Sequence, residues 1–164
     1  MDQDKALIKK TEKEYGVLYR AHLLEIYKLY VDSAEKTTSR RQSANSFFLT
    51  VNTALIALTG YVQLGAGDTN TSSYYWAVSL AGMILCLAWY RLIRSYRGLN
   101  SGKFKVIQAM EQYLPAAPFN TEWEVLGKGK DPKKYLSFSK VEAIVPWVFL
   151  CLHAVVFLRA LPWT

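Results

Sequence analysis

The sequence predicts an all-α, polytopic integral membrane protein with three transmembrane helices and further helices in the cytoplasm. Three apolar segments, at residues 46–64, 74–92 and 143–161, are almost free of charge. All but one of the 20 Lys and Arg residues lie before residue 42 or between residues 91 and 140. Lys and Arg are retained on the cytoplasmic side of a membrane, and Trp and Tyr collect at its two interfaces. The formal net charge of +7 therefore fits anionic lipid at the inner leaflet, and no nucleic-acid partner is expected.

Residues 1–45 are predicted to form a cytoplasmic N-terminal helix with a break near Gly16. Neither Pro nor Gly occurs between Gly16 and Gly60, so the helix is expected to continue unbroken into the first span. Its apolar surface is wider than one stripe and therefore needs partners. Self-association is the simplest source, and an unidentified cytoplasmic protein is the second. The residues predicted to pack in the cytoplasm are Leu23, Ile26, Tyr27 and Tyr30.

The first span is predicted at residues 46–64, where a helix rises roughly 28 Å, about the thickness of the hydrocarbon core of a bilayer. The polar segment that follows, residues 65–73, contains no Lys or Arg and is predicted to be an outside loop. The second span, residues 74–92, carries aromatic residues at both ends. The predicted anchors at the membrane interfaces are Arg40, Trp76, Trp89, Arg91, Arg94, Trp147 and Trp163.

Residues 93–142 are predicted to form a second cytoplasmic segment. The helix of the second span is expected to continue to Leu114, because Pro115 stops it, and a short helix capped by Asn120 or Thr121 follows. The third span is predicted at residues 143–161, with Pro146 tolerated in its first turn, and residues 162–164 form an outside tail. The predicted location is the bacterial cytoplasmic (inner) membrane, with the N-terminus in the cytoplasm and the C-terminus outside.

A polar stripe on the first span is the most informative pattern in the chain. Its members fall within about 40° of one another at 100° per residue. Unpaired amides in hydrocarbon are costly, so the stripe needs partners or water. One interpretation is a hydrogen-bonded seam between helices, and the other is a stripe that faces a water-filled pathway. In a ring of identical subunits the stripe is an oligomer seam or lines the axis, and its residues are Arg41, Asn45, Asn52, Thr59 and Gln63.

No residue pattern predicts catalysis. The chain lacks a hydrolase-type arrangement of nucleophile and base, and residues 127–131 lack the spacing of a phosphate-binding loop. His22 and Glu25 lie one helical turn apart without a second His nearby, which makes a poor metal site. His153 is interpreted as a hydrogen-bonding group toward a neighbouring helix rather than a proton relay. The sequence therefore predicts no enzyme, no catalytic residue, no cofactor and no metal.

Several segments carry a resemblance to a known family. They are HLLEIYKLYV at 22–31, RRQSANSFFL at 40–49, RSYRGLNSGKFK at 94–105, EWEVLG at 122–127 and VPW at 145–147. Together they span most of residues 15–150 and resemble the RipA-type octameric membrane proteins of bacteria. The resemblance implies an inner-membrane homo-octamer with a cytoplasmic helical portion. It implies neither an enzymatic activity nor catalytic residues.

The expected function is a non-enzymatic homo-oligomeric assembly, an octamer, that serves as a membrane scaffold. Its expected partners are further copies of the chain, membrane lipids and an unidentified cytoplasmic protein. One alternative is a conduit for ions or small solutes, lined in part by the polar stripe. A second alternative is a SLATT-like membrane effector of a bacterial defence system. The third span counts against that reading, because SLATT-type proteins have two.

Overall fold

The computed structural model describes residues 7–65, 72–130 and 141–161, without the side chains of residues 63–65, 72 and 73. Its elements are α1 (Glu12–Tyr15), α2 (Tyr19–Gly65), α3 (Ser72–Glu111), α4 (Pro118–Val125), a 3-10 turn (Gly127–Gly129) and α5 (Val145–Ala160). These ranges contain no strand, so the all-α class is confirmed. Most of the predicted loop at 65–73, the tail at 162–164 with Trp163, and the side chain of Gln63 lie outside the described residues.

The break predicted near Gly16 separates α1 from α2. Gly16 has a φ of 92°, a left-handed conformation that suits a residue without a Cβ. At the other end of α1, the N–H and hydroxyl of Thr11 both donate to the Glu14 carboxylate, which lowers the pKa of Glu14. After the break, α2 continues for 47 residues, as its lack of internal helix breakers predicts.

The chain divides into two compact units, and α2 and α3 contribute to both. The first unit comprises Met1–Ser39 and Tyr96–Ser137, and the second comprises Arg40–Ser95 and Phe138–Thr164. In the first unit, α2 buries Leu23 and Ala34, and α3 buries Ile107 and Met110. The ammonium of Lys103 on α3 donates to the Ser33 hydroxyl on α2 over 2.7 Å and links the two helices.

The end of α3 differs from the prediction. The helix ends at Glu111 rather than Leu114, because Tyr113 and Leu114 continue with tighter turn hydrogen bonds to residues three positions before them. The short helix α4 begins at Pro118, so Asn120 and Thr121 lie inside it and do not cap it. Proline suits this first position because its ring fixes φ and no N–H is left unpaired.

In the second unit, α2, α3 and α5 bury a small set of side chains and expose many apolar ones. The buried apolar members include Cys86, Trp89 and Ile93. By contrast, Phe47 is 60% exposed and Ile84 is 59% exposed. Exposed apolar side chains on several helices of one unit are typical of surfaces that face lipid or further protein.

In the part of the chain that the structure describes, two helices are long and apolar enough to cross a membrane. The candidate stretches are Tyr19–Val62 and Tyr74–Glu111, and only 11% and 28% of their apolar windows are buried. A core helix of a soluble protein of this length is mostly buried, so this exposure favours the membrane interpretation. The third apolar helix, α5, has 16 residues and is shorter than the stretch of about 20 that typically spans a bilayer.

Candidate functional site

Asn52 lies at the centre of a buried polar cluster in the second unit. Its amide Nδ2 donates to the Phe48 carbonyl over 2.8 Å, one turn earlier on α2. Its Oδ1 accepts from the Cys86 thiol on α3 over 3.2 Å and lies 3.2 Å from His153 Nε2 on α5. Asn52 and His153 have no exposed surface, and Cys86 is 1% exposed. One side chain therefore joins three helices of the same chain.

Gly82 makes room for the His153 ring. A Cβ placed on Gly82 would lie 2.3 to 2.5 Å from three atoms of that ring, which is closer than non-bonded atoms approach. Any larger residue at position 82 therefore has to displace His153 from Asn52. Among the described residues, Nδ1 of His153 has no hydrogen-bond partner, so Nε2 is the ring nitrogen that carries its interhelical contact.

A second interhelical contact lies two turns earlier on α2. The Trp89 indole Nε1 donates to Asn45 Oδ1 over 2.9 Å. The Trp89 ring stacks on Phe48 with centroids 5.8 Å apart and an interplanar angle of 7°. Asn45 and Asn52 thus use successive positions of the same face of α2 to hold α3. Phe48, which stacks on Trp89, also supplies the carbonyl that accepts from Asn52.

The other members of the polar stripe are placed differently. The Arg41 guanidinium lies 3.5 Å from the Glu142 carboxylate, and both groups are partly exposed. The Thr59 hydroxyl donates over 2.7 Å to the Ile56 carbonyl of its own helix. The amides of Asn45 and Asn52 thus find partners inside one chain. A role for the stripe between subunits or along an axis stays a prediction, and the burial of Asn52 weighs against it.

The predicted cytoplasmic packing residues divide into two groups. Leu23 is 7% exposed, and Tyr27 and Tyr30 are half-buried, with the Lys103 ammonium 5.0 Å from the centroid of the Tyr30 ring. Ile26 is 54% exposed and does not belong to the buried core. The helical spacing of apolar residues therefore predicted the inward face of α2 and also included Ile26, which lies at the edge of that face.

Glu111 is the key polar residue of the first unit. Its carboxylate accepts from the Phe119 and Asn120 backbone N–H groups over 2.9 Å each, and so it caps α4 from another helix. The Tyr27 hydroxyl donates to the same carboxylate over 3.1 Å. Burial, and next the hydrogen bond and charge of Glu111, raise the pKa of Tyr27 to about 12. Glu111 is only 2% exposed, and these partners satisfy it.

The predicted interface anchors also differ in exposure. Trp76 and Trp147 are 44% and 46% exposed, as a headgroup anchor requires. Trp89 is 3% exposed and packs inside the second unit, so its placement does not suit an anchor facing lipid. The basic anchors Arg40, Arg91 and Arg94 are all exposed.

The sequence predicted the polar residues of the site but not the side chains with which they form hydrogen bonds. It singled out Asn45 and Asn52 by their spacing, but nothing in a single sequence pairs Asn52 with Cys86 or His153. It gave no role to Glu111, for which the only signal was one acid shortly before a Pro-rich turn. Within the described ranges, no group of three or more His, Cys, Asp or Glu side chains is placed to hold a metal ion.

These features define a class: all-helical proteins with long exposed apolar helices and a polar seam inside each chain. The chain belongs to the Octameric membrane protein family (8xMP), whose model matches residues 24–162. The matched range includes Asn52, Cys86, Glu111 and His153. The family name describes membrane proteins that form octamers, so membership implies self-association in a membrane. No curated protein and no solved structure matches the chain.

Proposed function

We propose that this chain forms a non-enzymatic homo-octamer in the bacterial inner membrane and acts there as a scaffold. In this proposal α5 is a third span, and the N-terminus and the first unit lie on the cytoplasmic side. The observation that carries the proposal is the apolar surface that the first unit leaves uncovered within a single chain.

That surface lies away from the packing face of α2. Val17, Leu18 and Leu29 are 100%, 54% and 67% exposed. Val17 and Leu18 directly precede α2, and on α2 the exposed Leu29 lies about 120° around the helix from the buried Leu23. Large apolar side chains on a unit outside the lipid need another protein surface to cover them. In a closed ring, each copy supplies that surface to its neighbour.

The same reasoning gives little support to the conduit. A pathway along the polar stripe needs amides that water can reach, whereas Asn52 has no exposed surface and Thr59 is 5% exposed. Asn52 is already engaged with Cys86 and His153. Lipid-facing and protein-facing packing therefore account for the second unit better than a lumen lined by these residues.

Native mass spectrometry of the full chain in nanodiscs tests the assembly. The wild type is expected to carry eight copies, and Leu29→Glu is expected to release smaller species because a carboxylate in an apolar contact is costly. Ala21→Glu is the matched control. It places the same charge on an exposed position of α2, about 80° around the helix from Leu29, and should leave eight copies.

Two results would contradict the proposal. If Leu29→Glu keeps eight copies as firmly as Ala21→Glu does, the exposed apolar surface is not the contact between subunits. If wild-type octamers in liposomes carry a saturable, ion-selective flux that Asn52→Leu abolishes while eight copies remain, the conduit replaces the scaffold.

A further inference from the structure

The first unit contains an apolar groove whose lining includes none of the residues of the Asn52 cluster. This open groove has a volume of about 420 Å³, within the range of about 300 to 1,000 Å³ that is typical of small-molecule sites. The buried side chains of Leu23 and Met110 line it, together with Ile26 and Val106. From Tyr19 to Tyr30 the lining follows α2 over roughly 16 Å, a length that suits an extended hydrocarbon chain better than a compact ring system.

The charged side chains that line the groove are all positive. Lys9 and Lys10 line it and are exposed, so their ammonium groups can reach a ligand at its rim. His22 also lines it and uses Nδ1 for a 2.9 Å contact with the Tyr15 hydroxyl. No Asp or Glu occurs among the described residues of the lining. An apolar interior with a cationic rim is complementary to an amphiphile with an anionic head.

We propose that this groove binds a single-chain anionic amphiphile, a long-chain carboxylate of the fatty-acid class. Its hydrocarbon chain lies along Leu23, Ile26 and Met110, and its carboxylate meets the ammonium groups of Lys9 and Lys10. The site belongs to one chain and does not depend on the number of subunits in the assembly.

A photoreactive dodecanoate that bears a diazirine near the end of its chain tests the site directly. The full-chain protein in nanodiscs is irradiated with the probe, and the labelled peptides are identified by mass spectrometry. Label is expected within residues 19–30 and 106–110. Unlabelled dodecanoate should compete about tenfold better than dodecanol, because the alcohol lacks the charge that the lysines recognise.

Two pairs of variants separate specific binding from partition into lipid. Lys9→Gln with Lys10→Gln should weaken dodecanoate about tenfold and leave dodecanol unchanged, whereas Lys13→Gln, outside the lining, should change neither. Ile26→Glu should abolish the label in the groove, and Ala21→Glu should keep it. The lysine variants alter exposed side chains, so they report on binding even if Ile26→Glu impairs folding.

Three outcomes overturn the proposal. Label confined to the membrane-spanning helices means that the probe partitions into lipid only. Equal competition by dodecanol means that the rim does not recognise an anion. A groove that takes no label, because a second copy of the chain or another protein covers it, means that the site is a protein contact.

Discussion

The Oδ1 atom of Asn52 and the Nε2 atom of His153 lie 3.2 Å apart, although the two residues are separated by 101 positions in the sequence. This contact ties the apolar helix α5 to the polar face of α2. Because the Cys86 thiol donates to the same oxygen, the loss of this amide leaves groups on two other helices without their described partner.

Replacing Asn52 with Leu should destabilise the subunit by about 1 kcal/mol, since interhelical hydrogen bonds in membranes contribute about 0.6 kcal/mol on average. Thermal unfolding of the purified protein in nanodiscs measures the effect. Gln42→Leu, an exposed amide on the same helix, is the control and should change stability little. The number of subunits should stay the same. If Asn52→Leu dissociates the octamer without lowering the unfolding temperature, the amide belongs to a seam between subunits.

Two glycine substitutions should change the stability of the protein in opposite directions. Gly82→Ala forces the His153 ring to move, and overpacking of this kind costs about 1 to 3 kcal/mol. Gly98→Ala places its methyl group in open space on a helix, where alanine is favoured over glycine by roughly 0.5 to 1 kcal/mol. Unfolding of both variants under the same conditions gives the comparison. Equal effects at the two positions would contradict the close packing of Gly82 and His153.

Glu111→Gln should loosen the start of α4. The substitution replaces the charged carboxylate that accepts two backbone N–H groups with a neutral amide. Hydrogen bonds to charged groups contribute about 1.5 to 3 kcal/mol. Hydrogen exchange should therefore increase in residues 118–125 while α5 stays protected. Glu122→Gln on the exposed surface of α4 is the matched control. Faster exchange in both variants alike would show that the carboxylate of Glu111 is not a specific cap.

The stability of the first unit should fall at high pH through Tyr27. Its pKa is raised from 10.0 to about 12 in the folded state, so the folded protein favours the protonated phenol. This contribution is fully present below pH 10 and is lost as the pH rises through about 12. The difference in stability between the wild type and Tyr27→Phe should therefore shrink over that interval. Tyr113→Phe, at an exposed tyrosine, should show no such change. If the stability difference between the wild type and Tyr27→Phe stays constant over that interval, the Tyr27 effect is excluded.

The sequence predicted the helices, apart from the end of α3 and the start of α4, and the face of α2 that carries polar groups. The absence of Gly and Pro after Gly16 predicted the unbroken α2, and the spacing of Asn45 and Asn52 predicted that both would seek partners. Their partners depend on how α2, α3 and α5 pack, which a single sequence does not encode in any local pattern. The same holds for α4, because Glu111 caps it across a turn and replaces the local caps that its composition predicted.

The close approach of Gly82 and His153 also has a consequence for divergence within the family. The imidazole occupies the volume that a methyl group at position 82 would need, so neither position can change freely on its own. A larger residue at position 82 becomes acceptable once position 153 is small, and the two substitutions should then show strong positive epistasis. Among aligned relatives, the sizes of the side chains at these two positions are therefore expected to be inversely related, with a small residue at one wherever the other is large.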